Sequence, residues 1–459
     1  MYSLKELADR VKAKYIGIDL PFKGIHFDSR KIKDGDLFVA ISAERDGHDF
    51  ISNAIKNGAS AVLVNRELIL DVPQIIVADT EIALGQLAVI WKSQFDIIVI
   101  GLTGSCGKTT VKEMLASIFK QVGNVAYTQG NFNNSLGVPL TLFQLDDMHD
   151  FLIVEMGTNN PGEINYLVNL VHPNISLITN IGACHTEGLK SIDGIMQEKG
   201  ELFRDLPSSG KAIINLDDSK IKIFSQQLSC QKIYYSKNNI NADIKLYDEP
   251  KPTLNGVNFN VLINNDQILS FNLNLFGLHQ VDNALCAIAT AISCGISFDK
   301  IKQGLTLVRP ERGRSYLHKL TNELSIVDDS YNASFPSVIS AIDSLDQFIG
   351  TKVLVLSNMG EMGVGAEKYH RAVGEYIKES NIDHIFLYGD TRLISYIEEG
   401  SGKKINCYTD KSKLMESLNY FLYHPSQEGN SGTLILIKGS RLNKMEEIYT
   451  YCLKEINKI

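Results

Sequence analysis

The chain has 459 residues, 45 Lys and Arg against 53 Asp and Glu, a formal charge of -8 at pH 7 and 44% hydrophobic residues. That length suits about three domains of ordinary size. The charge balance leaves no basic footprint for nucleic acid and no polybasic stretch for a membrane surface, so small metabolites are the expected partners. Cys106, Cys184, Cys230, Cys286, Cys294, Cys407 and Cys452 are scattered, odd in number and without a C-x-x-C pair. This pattern predicts reduced thiols in a cytoplasmic protein without structural zinc. No apolar run reaches the ~18 residues needed to span a bilayer.

In chain order, MYSLKELADRVKAKY places Leu4, Leu7, Ala8 and Val11 at helical spacing, which predicts a short amphipathic helix and no signal peptide. Strand-like GDLFVAI, ASAVLV and QIIVA then alternate with helical pieces such as DFISNAIKNG, which closes on a glycine. EIALGQLAVIWKSQ leads into DIIVIGLTG, and FLIVEMG and ISLITNIG repeat its form with helical segments between. Such alternation predicts a parallel sheet covered on both faces. GVNFNVLINNDQILSFNLNLFG alternates around Asn-Asn-Asp, the mark of an antiparallel hairpin attached to that sheet. After RPERGR the pattern restarts with LSIVDDS, KVLVLSNMG, HIFLYG and TLILIKGS. The expectation is an α/β protein of three domains: residues 1–84, a central P-loop domain over 85–312 carrying the hairpin, and a doubly wound, Rossmann-like domain over 313–459.

GLTGSCGKTTVKEM, residues 101–114, has the strand-loop-helix setting of a phosphate loop, although Leu102 stands where the usual pattern has its first glycine. Gly104 and Gly107 allow backbone amides to turn inward around an anion, the helix N-terminus adds partial positive charge, and Lys108 adds a full one. Thr109 or Thr110 can offer a hydroxyl to magnesium. The bland alternative is a glycine turn beside a solvated lysine. Ligands of open parallel sheets bind at the carboxyl ends of strands, where Glu155 ends FLIVE and His185 follows ISLITN. An oxygen ligand suits magnesium better than an imidazole does, so Glu155 is the stronger candidate; a turn-capping Glu155 and an ordinary loop histidine are the alternatives. Lys199 falls on the apolar stripe of Ile192, Ile195, Met196, Leu202 and Phe203. A buried lysine has a lowered pKa, and its free amine can capture carbon dioxide as a carbamate; a snorkelling lysine is the competing reading.

These pieces resemble the Mur ligases of peptidoglycan synthesis, most closely the branch that adds D-alanyl-D-alanine to UDP-muramoyl-tripeptide. The likeness runs nearly end to end through DSR (28–30), DGHDF (46–50), TGSCGKTT, GNFNNSLGVPLTL, VEMGTNNPGEI, TNIGACHTEGL, EKGELF, FGLHQVDNA, DDSYNAS and KGSR. It implies an ATP- and Mg2+-dependent ligase whose substrates are UDP-N-acetylmuramoyl-tripeptide and D-alanyl-D-alanine, acting as a cytoplasmic monomer. By the same resemblance, Gly104, Ser105, Cys106, Gly107, Lys108, Thr109 and Thr110 hold ATP phosphates, with Asn283 at adenine and Arg314 and Asp329 completing the nucleotide site. Thr109 and Glu155 hold one magnesium, and His185 with Lys199 as its carbamate the second; Lys108, Glu155, His185 and Lys199 make the catalytic set. Ser29, Arg30, Asp46, Gly47 and His48 fall at the UDP end, Asn133 and Asn134 line the substrate cleft, and Asn332 faces the incoming dipeptide. The chain departs from the family pattern at Gln280, at SNMGEMG in place of GDMxELG, which bears on Glu361, and at Ala43. The rival family readings are the sister ligase adding the third residue, whose D-N-P-R motif this chain lacks, and a folate polyglutamylating ligase. A nucleotide-binding regulator that has lost ligation is the rival from another class.

Overall fold

The structure is a computed structural model and describes residues 2–253, 255–403, 405–425 and 432–458. Three sheets of five, ten and six strands carry it. The chain divides into two compact units, one of Met1–Gly101, Gly123–Gly157 and Gly162–Ile175, the other of Leu102–Val122, Thr158–Pro161 and Ser176–Ile459.

In the first unit the five-stranded sheet runs Lys14–Ile16, Gln74–Ile76, Ala61–Val64, Leu37–Val39, Ile25–His26. Only Lys14–Ile16 is antiparallel to its neighbour. Every residue of Leu37–Val39 and Ala61–Val64 is buried, as strands covered on both faces require. The helix Leu4–Arg10 starts on a reciprocal Ser3–Glu6 capping box and buries Leu4, Leu7 and Ala8; Val11, expected on the same stripe, ends it as the C-cap. Helix Thr80–Lys92 is capped by Asp79 and tied back by Thr80 Oγ1, which donates to the Ala40 carbonyl at 2.9 Å. At its far end Trp91 packs on Phe22, ring centroids 5.0 Å apart, and donates Nε1–H to the Leu145 carbonyl at 3.0 Å. Strands Val125–Tyr127 and Phe151–Glu155 pair in parallel and bring the chain to Glu155.

In the second unit, helix Lys108–Phe119 follows the phosphate loop and buries Val111, Met114, Leu115 and Ile118 on one face. Strands Lys211–Asn215, Gln231–Ser236 and Ile244–Leu246 are parallel, and the hairpin Gly256–Ile263 with Gln267–Leu273 adds antiparallel to the last of them. Its turn places Asn264 and Asn265 at φ 50° and 59°, the left-handed pair that a tight hairpin demands and that asparagine tolerates. A short antiparallel strand, Lys251–Thr253, extends this edge beyond what the periodicity suggested.

The six-stranded sheet runs Tyr316–Lys319, Leu324–Asp329, Thr433–Lys438, Thr351–Ser357, His384–Tyr388, Asn406–Tyr408, all parallel except the first. Alternate residues feed two cores, Ile326, Val353, Val355, Ile435 and Ile437 on one face, Val327, Leu354, Leu356, Leu434 and Leu436 on the other. The chain order of these strands reverses around Thr433–Lys438, so the loops DDSYNAS, SNMGEMG and KGSR leave side by side at a topological switch point. Among the described residues no helix is long and apolar enough to cross a membrane.

Candidate active site

The loop 104–107 closes over the end of its own strand. Gly104 has φ 154° and a side chain there would collide with Thr179 Oγ1; Gly107 has φ 81° and would collide with Asn283 Oδ1. Both glycines are therefore required by close approach as well as by backbone conformation. Asn180 receives the loop: its carbonyl accepts Ser105 N–H at 2.9 Å and its side-chain oxygen accepts Cys106 N–H at 2.9 Å. Lys108 folds back and donates Nζ to the Gly104 carbonyl at 2.7 Å. Thr109 is buried, while Thr110 lines an open pocket with Thr109, Gln280, Glu311 and Arg314. Cys106 Sγ lies 3.3 Å from Ser334 Oγ, and burial pushes its thiol pKa up, against nucleophilic use.

Helix Ile192–Arg204 buries Lys199 completely, and Nζ itself has neither solvent nor a hydrogen-bond partner. Snorkelling is thereby excluded. Burial, then the charge of Lys108, lowers its pKa to about 8. His185 sits at φ 51° at the start of the short helix Thr186–Leu189. Its Nδ1 makes no hydrogen bond of good angle but lies 2.5 Å from Glu361 Oε2. That contact holds the Glu361 carboxyl below its ordinary value in spite of partial burial.

At the switch point of the last sheet, Lys438 is buried and donates Nζ to Asp329 Oδ2 at 2.6 Å and to the Asn332 carbonyl at 3.1 Å. Asn332 spends its side-chain oxygen on Ala333 N–H. Asp328 Oδ2 accepts Gly313 N–H and the Gly313 carbonyl accepts Tyr331 N–H, so the connection into this domain is held from both sides. Arg314 then lies over the Tyr331 ring, 4.1 Å from its centroid, with Arg441 5.8 Å from the same centroid.

In the first unit Glu155 is buried, accepts Asn133 Nδ2 on Oε1 at 2.8 Å, and keeps Oε2 without a hydrogen-bond partner. A buried carboxylate oxygen left free is costly, and cation binding is its natural purpose. Asn133 is thus a support of Glu155, and Asn134 Oδ1 accepts Gly137 N–H at the first residue of the next helix. Ser29 is buried with its carbonyl accepting Asn57 Nδ2; Arg30 grips Asp28 through Nε and an Nη, holding that carboxyl down to about 2. Asp46 joins His48 Nδ1 at 2.5 Å and Arg66, Arg66 being the larger cause of its lowered pKa. A Cβ on Gly47 would stand 2.6 Å from the Ile41 backbone, so the DGH segment is a close-packed corner.

The second unit therefore brings together the phosphate loop, His185, Lys199, Asn283, Arg314, Asp329 and Asn332, and the first holds Ser29, Arg30, Asp46, Gly47, His48, Asn133, Asn134 and Glu155. Sequence reasoning passed over Asn180, Lys438, Tyr331 and the His185–Glu361 pair. Of these only Lys438 had a readable signal, a lysine ending the apolar run TLILIK.

Models of Mur ligase domains match residues 21–90 (catalytic domain), 102–291 (middle domain) and 313–441 (glutamate ligase domain). The chain is 37% identical over 448 residues to the UDP-N-acetylmuramoyl-tripeptide--D-alanyl-D-alanine ligase of Escherichia coli, covering 97% of each. The chain belongs to the Mur ligase family. Its architecture is similar to MurF from Acinetobacter baumannii, TM-score 0.89 at 30% identity over 99% of both chains. It is also similar to MurF from Thermotoga maritima in complex with ADP, TM-score 0.84 at 26% identity, covering 95% of this chain and 98% of that one. Like other Mur ligases it is an α/β, ATP-using enzyme of cell-wall peptidoglycan synthesis that forms an amide bond.

Proposed function

We propose that this Mur ligase joins D-alanyl-D-alanine to UDP-N-acetylmuramoyl-tripeptide, producing the pentapeptide precursor. The observation that carries the reading is Lys199, fully buried and unpartnered in the same unit as a phosphate loop, in a chain that runs alongside a ligase of that specificity over almost its whole length. A carboxylate is a poor electrophile. The tripeptide carboxylate attacks the γ-phosphate of ATP, an acyl phosphate forms with departure of ADP, and the dipeptide amine displaces phosphate. Lys108 and the amides of 104–107 offset charge as the two anions meet, and three bound substrates require orientation more than a side-chain nucleophile.

Among the described residues no group of three or more His, Cys, Asp or Glu is arranged to hold a metal ion. For bound magnesium, Thr109, Glu155 and His185 would each supply a single donor and a Lys199 carbamate a further one, with substrate oxygens common at such ions. Bound magnesium supplies charge neutralisation at the γ-phosphate. The free Oε2 of Glu155 and the low-pKa amine of Lys199 fit these roles.

The assignment extends to modules of 1–84 for the UDP end, 85–312 for ATP and 313–459 for the dipeptide, working as a cytoplasmic monomer whose modules close on substrate. Ser29, Arg30 and Asp46–His48 contact the uridine end, Asn133 and Asn134 the cleft, Asn283 adenine, Arg314 and Asp329 the nucleotide, and Asn332 the dipeptide. Phosphate release measured with ATP, UDP-muramoyl-tripeptide and D-alanyl-D-alanine should cease when any one is omitted. Turnover with a free amino acid, and none with the dipeptide, would sink the assignment.

A further inference from the structure

Two loops interlock in the second unit, residues 182–188 and residues 359–363. Thr186 Oγ1 donates to the Met362 carbonyl at 2.9 Å, and Glu187 N–H donates to the Glu361 carbonyl at 3.1 Å. Ala183 shares one apolar core with Met359 and Met362, and a Cβ on Gly363 would stand 3.0 Å from Glu187 Cα. From behind, buried His370 shapes the second loop: Nε2 accepts Met359 N–H at 2.9 Å and Nδ1 faces the Ala366 carbonyl at 2.6 Å. His185 and Glu361 both hold left-handed backbone, at φ 51° and 59°. For residues other than glycine such a conformation costs on the order of 1–3 kcal/mol, and it persists where surroundings over-determine it.

On this backbone the Glu361 carboxylate lies 2.5 Å from His185 Nδ1. Stability alone does not account for the pair, because the Glu361 side chain is 51% exposed and pairs of that kind contribute about 0–1 kcal/mol. A carboxylate on one ring nitrogen is, however, the usual device for fixing the tautomer and direction of the other toward a metal. We infer that Glu361 is a positioning residue: it holds His185 Nδ1 so that Nε2 is presented to a divalent cation, and the orientation of a ligand in the 102–291 region thereby depends on a loop of the 313–441 region. The inference rests on the proposed role of His185 as a metal ligand. Hydrogen-bond alignment at this contact completes on cation binding, as catalytic contacts commonly tighten only in the loaded state.

Mn2+ accepts both imidazole and carboxylate donors and serves as the probe. Mn2+ bound by the full chain with a non-hydrolysable ATP analogue is counted by electron paramagnetic resonance for the wild type, Glu361→Gln, Glu361→Asp, His185→Ala and the double variant Glu361→Gln/His185→Ala. Glu361→Gln should weaken one bound ion by about 10- to 100-fold, Glu361→Asp should recover part of the loss, and metal-free affinity for the analogue should not change. His185→Ala should lose the same ion, with no further loss in the double variant. Wild-type Mn2+ binding by Glu361→Gln, or losses that add in the double variant, would overturn the proposal. Should Glu361→Gln fold poorly, Glu361→Asn, better suited to left-handed backbone, replaces it with the same expectation. The Mn2+ count reads this coupling independently of turnover, so failure of the substrate-omission series would remove the ligase reading alone.

Discussion

Lys438 and Lys199, two of the lysines buried in the second unit, live in opposite environments. Lys438, 3% exposed, meets the Asp329 carboxylate and the Asn332 carbonyl, so its charge is compensated and its stem ends the central strand of a sheet. Lys199, 0% exposed, meets no acceptor, and burial with the nearby charge of Lys108 lowers its pKa to about 8. A buried charge with partners organises the fold; a buried amine without them is poised to react or to be modified. On the proposed mechanism the same residue type marks structure in one place and chemistry in the other.

The largest effect should come from Lys438→Ala, which leaves Asp329 as an uncompensated, largely buried carboxylate and should cost about 3–5 kcal/mol in denaturant unfolding. An unchanged midpoint would break the contrast at its structural end. Next, Lys199→Ala should lower kcat by about 10²–10³-fold, the size of a lost electrostatic stabiliser, while the melting temperature holds or rises. Wild-type turnover in that variant would remove Lys199 from the mechanism.

A third outcome lies in the pH dependence of stability without carbon dioxide. The ordinary lysine value is 10.5 and the folded value of Lys199 about 8, so between them the unfolded chain carries a proton that the folded chain has released. Stability should therefore rise with pH across this window, by on the order of a few kcal/mol, and level off above it. Lys199→Met should flatten that rise, whereas Lys438→Met should leave it in place. The smallest effect is expected from Asn133→Ala, which strips Glu155 of its remaining side-chain donor and should cost about 1–3 kcal/mol, read by urea unfolding.

Much of this was legible in the sequence, for physical reasons that differ from element to element. The stripe from Ile192 to Phe203 forces position 199 inward, and helix Ile192–Arg204 buries it. The Asn-Asn turn could only be a tight hairpin, and FLIVE had to deliver Glu155 to a strand end. What stayed hidden were meetings between distant segments. Asp329 and Lys438 are 109 positions apart, and Thr186 and Met362 are 176 apart, so no local period reports them. Gly107 was legible as a loop glycine, but the side chain that also demands it, Asn283, arrives from another helix. Asn133, placed in the substrate cleft by resemblance, is engaged with Glu155, a contact that only the paired strands and their loop could bring about.

The contrast between the lysines is tested most directly by carbon-13 magnetic resonance of the full chain equilibrated with labelled bicarbonate. One carbamate signal should be present in the wild type and in Lys438→Met and absent from Lys199→Ala. A wild type without the signal, or a signal that survives Lys199→Ala, would contradict the account.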